Sequence, residues 1–170
     1  MRLAPLMDRC IALERGAAAL YRRFAAETDA GDPLRDTWRH LAEEEDEHAA
    51  QLVVAAATVD PRVAHESRVE GWEEALTRAE GVLARAAAGA VRTSDERLGL
   101  ALDLERSEID VVRRIVLATA HEDLGAAGAT GEHARELAAL AMRHSADEAV
   151  TFKAALVRAH GRIAPAVEPE

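Results

Sequence analysis

A chain of 170 residues is long enough for one domain with a substantial core. Apolar residues make up 49% of it but aromatics only 3%, so that core must be built from Ala, Leu and Val, which favours closely packed helices over a sheet. The net charge of −10, from 31 acidic and 21 basic residues, argues against a basic stripe that neutralises phosphates, and with it against nucleic-acid binding.

The single cysteine, Cys10, can form neither an internal disulfide nor a four-thiolate iron site. The opening MRLAPLMDRC has no long apolar core and no cleavage signal, so no signal peptide is expected. No uncharged apolar run approaches the roughly 20 residues that span a bilayer, so no membrane association is expected and the cytoplasm is the expected compartment.

In chain order, residues 6–29 read as a first helix, because Leu6, Cys10, Leu13, Ala17, Leu20, Tyr21 and Phe24 recur at spacings of three and four. Glu14 sits beside that apolar face. Thr28 to Pro33 is a turn, with Asp32 as a cap and Pro33 opening the next helix. The second helix covers residues 33–58. Its stripe of Leu34, Trp38, Leu41, Leu52 and Ala55 contains Glu45 and His48, which places both in the seam and not on the wet face. Asp60-Pro61 ends it, and residues 61–69 read as a loop. Residues 70–89 form a shorter amphipathic helix around Trp72, Leu76, Ala79, Val82 and Leu83, with Gly89 as its C-cap.

Thr93 and Glu96 make a capping box for a third helix over residues 94–119, striped by Leu98, Leu102, Glu105, Ile109, Val112 and Val116. His121 to Gly131 is a glycine-rich turn. A fourth helix over residues 132–160 carries Leu137, Leu140, His144, Glu148, Thr151, Phe152 and Leu156. Gly161 ends it, so the helical domain covers residues 1–162 and a loose tail residues 163–170. Short connections between helices one and two and between three and four, with one long connection in the middle, predict an all-α four-helix bundle with a crossover that contains a short extra helix.

The chain carries a faint internal repeat centred on acids. Glu14 in Ile11-Ala12-Leu13-Glu14 matches Glu105 in Leu102-Asp103-Leu104-Glu105, and Glu45 in the second helix matches Glu148 in the fourth. A complete pattern by which a helical bundle holds two metal ions is one Glu from each of two helices and a Glu-x-x-His pair from each of the others. The i, i+3 spacing sets Glu and His on one face, and iron or manganese accepts that mixture of oxygen and imidazole donors. The expected ligands are therefore Glu14, Glu45, His48, Glu105 and Glu148. Carboxylates in an apolar stripe are costly unless paired or bound. The structural alternative pairs Glu14 and Glu105 with Arg15, Arg106 or Arg113.

The repeat fails at one place, where Thr151 stands in the position of the second histidine. His144 and Asp147 are the alternative ligands there, and Glu108 is a candidate additional or redox-dependent one. Tyr21, the sole tyrosine, is placed either to hydrogen-bond a ligand carboxylate or to pack as an ordinary core residue. Cys10, Trp38 and Trp72 are expected to be packing residues. His40, His65, His121, His133 and His160 are expected on the surface or at helix ends. Glu43, Glu44, Asp46 and Glu47 are expected to form a solvated charged face.

At these residues the chain resembles the rubrerythrin and ferritin-like diiron superfamily. ALERGAAALYRRFA (residues 12–25), LAEEEDEHAAQL (41–52), LALDLERSEIDVV (100–112) and ADEAVTF (146–152) resemble its four metal-bearing helices, the last with Thr151 where histidine is usual. The resemblance spans residues 6–158. It implies a ferritin-like bundle holding two irons, or a mixed iron–manganese pair, a homodimer, and an oxidoreductase activity that reduces peroxide or oxidises ferrous iron. With one cysteine the chain has no rubredoxin domain, so a redox cycle implies an external electron donor. The rival expectation is a degenerate ferritin-like protein without catalysis, serving as a dimeric structural or partner-binding module. Replacing Thr151→His is expected to raise the number of metal ions held per chain, as measured by metal analysis after loading and desalting.

Overall fold

The computed structural model describes residues 1–68, 73–89 and 93–105. They form five helices: α1 (Leu3–Glu27), α2 (Leu34–Thr58), α3 (Pro61–Glu66), α4 (Glu73–Ala88) and α5 (Ser94–Glu105). The all-α helical bundle with helical segments in the crossover agrees with the sequence expectation. The expected fourth long helix and the C-terminal tail lie outside the described residues. No described helix is long and apolar enough to cross a membrane.

Helix α1 begins three residues before the expected position. Arg2 offers no side-chain cap. Instead the chain start is stitched to the end of α3: Leu3 N–H donates to the Ser67 carbonyl at 3.0 Å, and Arg2 pairs with Arg68 in an isolated antiparallel bridge. Pro5 in the first turn has no N–H to satisfy. The helix ends at Thr28, whose hydroxyl donates back to the Phe24 carbonyl at 2.7 Å.

The turn into α2 follows the expected chemistry. The Asp32 carboxylate accepts from Leu34 N–H at 2.9 Å, and Pro33 already has helical dihedrals. Residues 61–66, expected as part of a loop, are the helix α3. Asp60-Pro61 both stops α2 and starts this helix, with Asp60 accepting from Arg62 N–H at 2.7 Å and Pro61 at its beginning. An Asp-Pro pair carries both signals, and only the tertiary context chooses between them. The capping box on α5 is made as expected: Thr93 N–H donates to Glu96 Oε2 at 2.9 Å, and Glu96 N–H to Thr93 Oγ1 at 3.1 Å.

Cross-helix contacts fix the directions. Glu14 faces His48 and Phe24 faces Trp38, so α1 and α2 run antiparallel, and theirs is the most extensive helix pairing among the described residues. Tyr21 meets Glu105 and Thr28 meets Arg97, so α5 is also antiparallel to α1. Arg9 bonds Glu80 through two nitrogens and Arg23 donates to the Ala86 carbonyl, so α4 runs parallel to α1. Gly16 lets α4 approach closely, since a Cβ there would lie 2.7 Å from Leu83 Cδ1.

Three of the chain's few aromatics are concentrated at one level of the α1–α2 seam. Trp38 is fully buried, stacks on Tyr21 at 5.9 Å with 15° between the rings, and meets Phe24 edge-on at 5.3 Å. Arg23 and Arg97 place their guanidinium groups 5.7 and 5.9 Å from the Phe24 ring. Replacing Trp38→Ala is expected to destabilise the fold by about 3–5 kcal/mol, read from a lowered urea midpoint with an unchanged denaturant slope.

Candidate metal centre

The centre is built where two apolar stripes are interrupted by acids. On α1, Glu14 lies between Leu13 and Ala17 in a row that also contains Cys10 and Tyr21, and the row faces α2 because the rest of it is apolar. On α2, Glu45 and His48 are one turn apart in the row running from Trp38 through Leu41 to Leu52. Antiparallel packing brings the two interruptions to the same level.

Three sequence-predicted ligands meet there. Glu14 is 1% exposed and Glu45 7%, and the His48 side chain is 13% exposed. His48 Nδ1 lies 3.0 Å from Glu45 Oε2 and 3.9 Å from Glu14 Oε2. One donor atom from each residue falls within 4.8 Å of the others. Two atoms on one cation at metal–ligand lengths near 2.2 Å stand at most about 4.4 Å apart. The cluster thus needs to tighten by only a few tenths of an ångström to hold an ion. The donor set, two carboxylate oxygens and one imidazole nitrogen, suits iron, manganese or zinc. Two buried carboxylates beside one imidazole also supply the negative charge that a divalent cation neutralises.

Glu105 is the last described residue of α5, and its Oε1 accepts a hydrogen bond from the Tyr21 hydroxyl at 3.0 Å. The Tyr21 hydroxyl thus bonds the carboxylate while its ring is fully buried in the core, which fits both roles open to it from the sequence. Glu148, Glu108, His144, Asp147 and Thr151 lie outside the described residues. The described part therefore forms a single Glu14–Glu45–His48 triad within an all-α bundle.

The charged face of α2 departs from expectation at one position. Glu43, Asp46 and Glu47 are exposed, with Asp46 paired to Arg22, but Glu44 is only 19% exposed and lies 3.3 Å from His40 Nε2, one turn earlier. The sequence reading also passed over Arg97. It is buried, donating to Thr28 Oγ1 at 3.0 Å and Glu27 Oε2 at 3.2 Å, and so ties the start of α5 to the end of α1. Its place four residues before Ala101 and seven before Leu104, both buried, was the available signal.

Comparison of the chain with family models, with curated proteins and with solved structures returns no match. The centre is accordingly characterised by its own donor set and geometry.

Cys10, one turn before Glu14, is a buried free cysteine, as expected of a packing residue. Burial pushes its thiol up from the ordinary 9.0 to about 12, with the Glu14 charge adding to the effect. Folding thus favours the protonated thiol. The contribution is fully present below about pH 9, where the unfolded chain keeps its proton too, and is lost as the pH rises towards 12. Urea midpoints measured across this alkaline range are expected to fall with rising pH, and the fall is expected to be shallower in Cys10→Ala.

Proposed function

We propose that this chain is a metal protein of the ferritin-like kind, in which Glu14, Glu45 and His48 hold a redox-active transition-metal ion, iron foremost and manganese as the alternative. The observation that carries this reading is the convergence of two buried carboxylates and an imidazole from two helices on one point. Buried acids of this kind oppose folding unless something compensates them. A bound cation offsets that cost and stabilises the fold by mass action, by about 2.7 kcal/mol at one hundred times its dissociation constant.

Each residue has a distinct task. Glu14, the most deeply buried of the three, brings fixed charge from α1. Glu45 and His48 bring an oxygen and a nitrogen from successive turns of α2, so that their spacing is set by the helix itself. The neighbouring side chains of Leu13, Ala17, Ala42 and Ala49 are buried and keep water away from the ligands. When bound, iron supplies a one-electron couple and a Lewis-acid contact for an oxygen ligand. Glu105 and Glu148 are proposed to complete a second, weaker position, with Thr151 leaving it a ligand short. Peroxide reduction or ferrous iron oxidation is the activity proposed, in a cytoplasmic homodimer served by a separate electron donor, because these 170 residues contain no thiolate cluster.

Metal analysis after anaerobic and aerobic loading with ferrous iron tests this. One firmly held ion per chain, lost in Glu45→Gln and in His48→Ala, is the expected result, with a second ion held more weakly. The metal-free Glu14→Gln variant is expected to melt higher than the metal-free parent, because it carries one buried charge fewer, yet to gain no stability on loading. A parent chain that holds no more iron than these variants would sink the metal reading and leave a helical module without a redox site.

A further inference from the structure

Arg2 and Arg68 are held opposite one another by the backbone. They form the isolated antiparallel bridge that joins the start of the chain to the exit of α3. A hydrogen bond of this bridge runs between the flanking residues, from Leu3 N–H to the Ser67 carbonyl at 3.0 Å. The two arginines are therefore a non-hydrogen-bonded pair, whose side chains leave the backbone on one side with Cβ atoms about 5 Å apart. Like charges in that relation repel and oppose the pairing.

Nothing among the described residues relieves this repulsion. Both arginines are exposed, and neither side chain forms an ion pair or a hydrogen bond there. The first turn of α1 contains no acid. Glu73 does reach the chain start, but its carboxylate is held by the Met1 amino group at 2.8 Å. On α3 the exposed Arg62 stands against one acid, Glu66. In a chain of net charge −10, with 31 acidic residues, this is not a shortage of carboxylates. A locally unfavourable arrangement kept without internal compensation marks a place where function sets the residues.

The chemistry of the pair selects its ligand. Each guanidinium is planar, permanently charged and offers a fork of donors. A carboxylate, with two oxygens and one charge, fills one fork. A phosphate dianion has oxygens enough to face two forks at once and carries the two charges that cancel theirs. We infer that Arg2 and Arg68 form a binding site for a phosphate dianion, either free phosphate or the phosphate group of a small ester. Occupancy turns the repulsion across the bridge into a shared attraction, and so fastens the start of α1 to the exit of α3. Arg2 lies 12 positions before Glu14, roughly 18 Å along α1, so the site is separate from the triad and stands whether or not the triad holds a metal.

Inorganic phosphate and glycerol 1-phosphate are the probes, titrated calorimetrically into the full-length chain at fixed ionic strength set with sodium chloride. The parent is expected to bind at least one of them saturably. Arg2→Gln and Arg68→Gln are each expected to weaken that binding about 10-fold or more, through the loss of charge-assisted hydrogen bonds. Arg78→Gln removes an exposed charge on α4 and is expected to leave binding unchanged. Without phosphate and at low salt, Arg68→Gln is expected to melt no lower than the parent, because the like-charge contact is gone. Adding phosphate is expected to raise the melting temperature of the parent but not of the variant. Equal affinity for the two probes assigns the site to the free anion, and tighter binding of glycerol 1-phosphate assigns it to an organic ester. A parent that binds neither probe better than Arg68→Gln does would overturn the site. So would an Arg78→Gln chain that loses as much affinity as Arg68→Gln, since binding would then report only the overall charge.

Discussion

The burial of Glu14 is the constraint to which the rest of the described fold is arranged. A carboxylate with 1% of its surface exposed is tolerated in a helix seam only if neighbouring groups compensate it. The partner surface has to bring polar atoms to that level and apolar ones elsewhere, and α2 does so with Glu45 and His48 set between Leu41 and Leu52. The antiparallel register of the two helices brings Glu14 to the level of this pair. The aromatic cluster of Tyr21, Phe24 and Trp38 reinforces the same register from one side of the acids.

Helix α1 is the element through which the other parts communicate. It meets α2 along the acid seam, α4 through Gly16 and the Arg9 and Arg23 contacts, and α5 through Tyr21 and Thr28. Charged residues at its edges make surface pairs such as Arg9–Glu80, worth at most about 1 kcal/mol each. They orient the crossover more than they stabilise it. The larger contributions come from the apolar stripe, and the polar groups placed inside that stripe stand out because they weaken it.

Much of this was legible in the sequence because it is periodic. The helical nature of α1, α2, α4 and α5 follows from residues spaced at three and four, the cap at Asp32 and the box at Thr93 and Glu96 from local turn chemistry, and the meeting of Glu14 with Glu45 and His48 was expected from the pattern of acids that a metal-holding bundle repeats from helix to helix. What periodicity did not disclose depended on tertiary context. Asp60-Pro61 reads equally well as a stop and as a start, so α3 went unseen as a helix. The extra turn at the beginning of α1 exists because the Ser67 carbonyl accepts from Leu3, a contact across 64 residues that leaves no local mark. Glu44 looks like its exposed neighbours in sequence, and only packing shows it to be half-buried. Arg97 was passed over because arginine is ordinarily exposed, and its burial is made tolerable by Glu27 and Thr28, which sit on another helix.

The antiparallel hairpin of α1 and α2 has a consequence for the order in which the protein comes together. Glu14 and His48 are 34 positions apart and are joined by one short turn, whereas Tyr21 and Glu105 are 84 apart with α2, α3 and α4 between them. The difference in loop-closure entropy is small, below about 1 kcal/mol, but contacts that are near in sequence form faster than distant ones. The triad draws its donors from the first two helices alone and needs nothing from α5. A nascent chain with only its first 60 or so residues free already carries every donor of that cluster, so the part of the centre closest in sequence is also the earliest to assemble.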